Sequence, residues 1–209
     1  DVQTEIPPVT APEALTFDRP LLVTDHDLGG GTILSVINLH LRAPLAANIH
    51  GQKQAPFVWS SIGGWAEGYF LSAVRRAGQA VELRRVADEI QAQDPHRLIA
   101  AAGDFNAEDH ETAIKIAVGA EEDTGNSLLT GGSLVVLDRA LSADRRWSVR
   151  HLGRPLMLDH ILASRTLAAT LRAIEVHNEV VGDEAVLYGK HIEVPGSCHA
   201  GVVAEFALG

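Results

Sequence analysis

The run Ala101-Ala102-Gly103-Asp104-Phe105-Asn106 places a carboxylate and a carboxamide close together, directly behind the apolar residues Leu98, Ile99 and Ala100. A short apolar run closed by glycine reads as a buried strand entering a tight turn. With the alternation of a strand, Asp104 and Asn106 share a direction at its C-terminal end. Oxygen donors there can hold a cation, a water or a phosphoryl oxygen; the same residues also make an ordinary Asx turn. Three further stretches carry such groups: Val36-Ile37-Asn38-Leu39-His40-Leu41, Leu158-Asp159-His160-Ile161-Leu162 and Ser197-Cys198-His199-Ala200. His199 with Asp159 can form a carboxylate-oriented histidine, able to exchange protons near neutral pH. On strand alternation Asp159 faces away from His160, which leaves His160 a structural role. Asn38 and His40 end an otherwise apolar strand and are costly to bury unless a site or a hydrogen-bonded pair uses them.

The elements that position these groups follow from periodicity. Residues 1–15 hold Pro7, Pro8 and Pro12 without an apolar repeat and read as an arm or processed linker; residues 16–209 read as one domain. Residues 20–24 start a strand, Gly29-Gly30-Gly31 turns it, and residues 32–41 return, which is a β-hairpin. On the return strand Ile37, Leu39 and Leu41 share one face, Val36, Asn38 and His40 the other. Residues 42–68 carry Pro44, Gly51, Pro56, Trp59, Gly63, Gly64 and Trp65 and read as a long rim loop. Residues 67–93 form the longest expected helix, with Phe70, Val74, Ala77, Val81, Leu83, Val86 and Ile90 as its apolar stripe. A short helix over residues 110–118 follows. Strands are expected near residues 134–137, 147–151, 157–162 and 200–208, with another within residues 168–181 through Ile174 and Val176. Strands outnumber helices, an α/β or α+β pattern.

With 209 residues and 46% hydrophobic content, the chain can fill one sizeable core. It has no apolar run of about 18 residues to cross a membrane. The formal net charge of −10 argues against a non-specific duplex DNA binder. The pairs Arg75-Arg76, Arg84-Arg85 and Arg145-Arg146 read as solvated faces. The single Cys198 excludes an internal disulfide framework.

In this order, the four motifs resemble the endonuclease/exonuclease/phosphatase superfamily, the deoxyribonuclease I-like metallohydrolases, from Arg19 to the C-terminus. The resemblance implies a four-layer sandwich, two β-sheets packed face to face with helices outside each. It implies a phosphoester hydrolase that uses a divalent ion: magnesium, with manganese, calcium or zinc as alternatives. By position, His199 is then the general base or charge-stabilising acid and Asp159 orients it. His40 binds a phosphoryl oxygen, Asp104 positions or deprotonates the attacking water, Asn106 steadies a phosphoryl oxygen or the ion, and Asp104 and Asn106 supply the metal's oxygen ligands. The family has an aspartate where Cys198 stands, and thiol sulfur is a poor ligand for hard cations. Three readings follow: Cys198 is an inert small side chain with the metal held elsewhere, the site takes a softer metal, or Cys198 is a nucleophile beside His199. The family's N-terminal strands, with an asparagine and a metal-binding glutamate, have no counterpart here. The resemblance therefore implies a partner, an N-terminal chain or fragment of the same precursor that completes the fold. The acidic charge and aromatic loop favour a small or lipid-like phosphoester. A nuclease of the same superfamily, or a binding module with a degenerate metal site, are the alternatives.

Overall fold

The computed structural model describes residues 17, 19–189 and 196–208; the expected arm over residues 1–15 lies outside them. Strands β1 (Leu22–Asp27) and β2 (Ile33–His40) form the expected hairpin, closed by Gly29, Gly30 and Gly31, all at positive φ. A short hairpin of β3 (Lys53–Ala55) and β4 (Val58–Trp59) precedes helix α1 (Ile62–Gln93). Strand β5 (Leu98–Asp104) leads through a turn to α2 (Thr112–Val118). Next come β6 (Leu134–Val136), β7 (Val149–His151), β8 (Arg154–Leu156) and β9 (Asp159–Ser164). The order closes with α3 (Arg165–Ala168), β10 (Leu171–His177), α4 (Glu184–Gly189) and β11 (Gly201–Phe206).

Five strands form one sheet in the order β1-β2-β5-β9-β6. Strands β2 and β5 are parallel, and α1 is the crossover such a pair requires. One face of the sheet packs on α1 and α2 through Ile37, Leu39, Ile99, Leu83 and Ile114. The other face packs on the antiparallel pair β10–β11, through Leu98, Leu137, Ala163, Leu167 and Ile174. This is the mixed α/β sandwich of two facing sheets. The pair β10–β11 covers the β5, β9 and β6 side, whereas all six residues of β1 are exposed. Among the described residues, no helix is long and apolar enough to cross a membrane.

Several expectations change. The rim loop at residues 42–68 contains the β3–β4 hairpin, and α1 begins within it at Ile62 rather than near residue 67. Ser61 caps that helix by accepting from the Gly64 amide at 3.0 Å; the two glycines behind the cap hide it from a propensity reading. The expected apolar stripe holds in part: Leu83, Val86 and Ile90 pack on the core, whereas Phe70, Val74 and Val81 are exposed and Gly68, Ser72, Gln79, Ala80 and Ala87 face inward. Small residues win that face because the backbone approaches closely: a Cβ on Gly68 would collide with the Ala47 carbonyl. The arginine pairs are not simple solvated faces. Arg76 is buried against Glu111, Arg84 reaches the Ala117 carbonyl, and Arg146 pairs with buried Asp138.

Gly103 marks the tightest point of the sheet. It has φ +147° and faces Leu39 across the β2–β5 pair, and a Cβ there would collide with the Leu39 carbonyl oxygen. Gly103→Ala is expected to cost about 3 kcal/mol or more, from backbone strain and the forced separation of two central strands. Thermal unfolding measures it; a loss below about 1 kcal/mol would show that the strands can part without penalty.

Candidate active site

Strand register assembles three of the expected groups. His40 lies beside Asp104 across β2–β5, and Asp104 lies beside Asp159 across β5–β9. The fourth arrives from the facing sheet, where His199 precedes β11. Its Nδ1 is 2.8 Å from Asp159 Oδ2 and 4.0 Å from Asp104 Oδ2. His40 Nε2 lies 3.3 Å from the same Asp104 oxygen. Asn106, buried and at φ +48°, donates its backbone N–H to Asp104 Oδ1 at 2.8 Å. Its side-chain amide donates to Asp104 Oδ2 at 3.1 Å and to the Leu41 carbonyl at 3.0 Å. Asn106 therefore grips both oxygens of Asp104 and ties the turn to the end of β2. Asn38 stands further back on the same face, exposed, its amide 3.5 Å from the Ala102 carbonyl.

Asp104, Asp159 and His199 offer ligand atoms that all lie within 4.8 Å of one another, a donor set fit for a divalent cation. Cys198 is half-buried and is not in that group. The electrostatics divide the two histidines. The hydrogen bond to Asp159 raises the His199 pKa above its usual value of 6.5, overcoming partial burial, with the Asp159 and Asp104 charges adding. Burial lowers that of His40, outweighing the pull of Asp104, and the charges of Arg19 and His199 push the same way. Burial and the neighbouring Asp159 raise Asp104, against the Asn106 amide. His199 thus holds its proton to higher pH while His40 gives its own up, a separation that assigns different roles to like groups.

The supporting residues carry no motif. Buried Ser148 accepts at Oγ from the Leu158 and Asp159 amides, at 3.0 and 3.1 Å, and its carbonyl accepts from Ala200 at 2.8 Å. One serine thus fixes Asp159 and the segment carrying His199 relative to each other. His160 turns away from Asp159, as alternation requires. Its Nδ1 meets Asp138 at 2.9 Å and its Nε2 meets the Ala107 carbonyl at 2.9 Å. Arg146 Nε closes on the other Asp138 oxygen at 2.8 Å. This buried chain pins the residue after Asn106 to β9. Sequence singles out His160 as structural and Arg146 only as part of a solvated pair; Asp138 and Ser148 sit in unremarkable stretches and become visible through contact alone.

No protein-family model matches the chain, and no curated protein matches it. Among solved structures, a truncated TDP2 of Caenorhabditis elegans superposes with a TM-score of 0.51 at 16% identity, over 90% of this chain and 59% of that one. An AP endonuclease from Archaeoglobus fulgidus gives 0.49 at 16% identity, over 84% and 62% of the two chains. The human Nocturnin catalytic domain gives 0.45 at 18% identity, over 78% and 45%. The likeness to the truncated TDP2 is one of fold. The chain spans less than two thirds of the length of each of these structures.

The His160 anchor generates a pH dependence. Burial opposes its charge, but the hydrogen bond and charge of Asp138, with the Ala107 carbonyl, outweigh burial and raise its pKa. Both ring nitrogens face acceptors, so the imidazolium is the form that satisfies both. The folded-state value lies above the unfolded one. The contribution is therefore whole below about pH 6.5 and fades as pH rises through the folded-state value. Comparing thermal unfolding of wild type and His160→Gln from pH 6 to 9, the stability gap is expected to be widest at pH 6 and to narrow toward pH 9. A gap that stays constant would refute a charged His160.

Proposed function

We propose that the chain is the larger part of a metal-dependent phosphoester hydrolase. The observation that carries this reading is the row His40, Asp104 and Asp159 across three adjacent strands, with His199 facing it from the other sheet. Asp104 and Asp159 are the residues that would hold the cation, magnesium, manganese, calcium or zinc, with His199 beside them as the proton-exchanging group. A bound divalent ion supplies positive charge to the phosphoryl oxygens. His199, oriented by Asp159, holds or passes the proton exchanged with water or leaving group. His40, largely neutral at physiological pH, offers an N–H to a phosphoryl oxygen. Asp104 orients the water, and Asn106 positions Asp104 rather than touching substrate. Cys198 is an inert small side chain in this scheme. A small or lipid-like phosphoester is the finer reading of the substrate. Its support is the acidic charge and the exposed apolar ridge of Phe57, Ile62, Trp65 and Tyr69 where β3–β4 meets α1.

The partner is part of the same proposal: a further polypeptide segment, in the same chain or a second one, covers the open part of the sandwich. Its support is the row Leu22, Thr24, Val36 and Asn38, on the face that β10–β11 leaves uncovered, together with Leu22 at 61% exposure. Expressed as these 209 residues, the protein is expected to bind a hydrophobic dye and to associate. A monomer that ignores the dye and unfolds cooperatively would remove the need for a partner.

The activity test is hydrolysis of bis(p-nitrophenyl) phosphate with each metal in turn by the protein together with any covering segment. Turnover should stop in EDTA, and His199→Ala should reduce kcat by roughly 10²-fold or more with the fold intact. Turnover unaffected by either treatment retires the assignment.

A further inference from the structure

His40 stands between two spaces. One side faces Asp104; the other lines a cavity of about 260 Å³ together with Phe17, Arg19, Arg42, Arg75 and Gln79. Arg19, Arg75 and His40 therefore bring three basic side chains to one small space, and no carboxylate among the described residues lines it. This runs against composition, since the chain has 27 acidic residues to 17 lysines and arginines.

The cavity is built from fixed elements. Arg42 directly follows the core residue Leu41 at the exit of β2, and its backbone N–H donates to Gln79 Oε1 at 2.7 Å. Gln79 is buried on α1, and Arg75 lies one turn earlier on the same face. Arg19 leads into β1, close enough for its charge to act on His40. Two strand ends and a long helix thus converge on one point beside the row of candidate catalytic groups. A guanidinium presents a planar fork that matches phosphate oxygens two at a time. A phosphomonoester brings three acceptor oxygens and a charge of about −1.5 to −2, more than a carboxylate can offer to two such forks.

We infer that this cavity is a subsite for a second phosphoryl group of the substrate, gripped by Arg19 and Arg75 while His40 faces the phosphoryl group that reacts. Its link to turnover rests on the hydrolase reading; its capacity to bind a phosphoryl group does not. The substrate class is then a small molecule with a terminal phosphomonoester near a phosphodiester or phosphoanhydride. Phe17 flanks the space and can pack on the apolar part between the two groups.

Calorimetry with pyrophosphate, in EDTA and at low salt, tests binding apart from catalysis. Wild type is expected to bind, and Arg75→Gln to bind about tenfold more weakly or worse, the scale for losing a charged hydrogen bond. Thermal unfolding checks that the variant is folded, and Arg75→Lys should recover part of the affinity. In turnover, thymidine 5′-(4-nitrophenyl phosphate) carrying a 3′-phosphate should exceed its 3′-hydroxyl counterpart in kcat/KM. Arg75→Gln should erase that advantage and leave bis(p-nitrophenyl) phosphate hydrolysis unchanged. Arg75-dependent binding without turnover of any ester keeps the subsite and sinks the hydrolase reading. Ester turnover with no pyrophosphate binding at millimolar concentration, or with binding equal in Arg75→Gln, overturns the subsite.

Discussion

Two carboxylates side by side on neighbouring strands are the constraint to which the rest of the molecule answers. The β5–β9 register makes Asp104 and Asp159 direct cross-strand partners, and like charges in that position are destabilising. The structure surrounds them with compensation. His199 lies against Asp159, His40 lies beside Asp104, and Asn106 points two N–H groups at Asp104. Even so, burial and its neighbour hold the Asp104 carboxyl above the ordinary carboxylate range. An arrangement that keeps two acids this close is poised for added positive charge, which is the physical content of a metal site.

The site sits on the seam between the two sheets, and this makes inter-sheet packing a matter of chemistry as well as stability. Three members belong to the five-stranded sheet, and His199 belongs to the segment that enters β11. Their separation depends on the core of Leu98, Leu137, Ala163 and Ile174 and on the Ser148 bridge to Asp159 and Ala200. A displacement of about 1 Å at such a seam can cost 10²-fold in rate. The small side chains Ala100 and Ala163 let the layers approach and the bare Gly103 lets β2 and β5 close up, so residues without reactive groups set the reactive distances.

Much of this was readable beforehand, and the limits have a pattern. The outward turn of His160 follows from strand alternation, and the pairing of His199 with Asp159 from the order of the motifs and the resemblance they carry. Those signals are local. The inner face of α1 is legible only toward its end, at Leu83, Val86 and Ile90; earlier it buries glycine, serine, arginine, glutamine and alanine, while Phe70, Val74 and Val81 remain outside. Hydrophobic periodicity assumes that the larger apolar residue wins the interior; a close helix–sheet approach reverses that choice. Buried polar partners escape for a different reason. Ser148, Asp138 and Arg146 act through hydrogen bonds to distant backbone or side chains, and one chain without its contact map does not show them.

The route of the chain through the site has a kinetic side. His40, Asp104, Asp159 and His199 come from four separated stretches, and the segment that completes the group lies just before the last strand. Non-local contacts of this kind carry the loop-closure cost that slows folding, and here the parallel β2–β5 pair adds a helical crossover. The β2–α1–β5 unit can collapse on its own core while His199 is still unplaced. Docking of β10–β11 onto the five-stranded sheet is then expected late, and a chain released before it would hold most of its secondary structure without an assembled centre. Competence would then switch on abruptly at the end of folding, as a property of the closed sandwich rather than of either sheet.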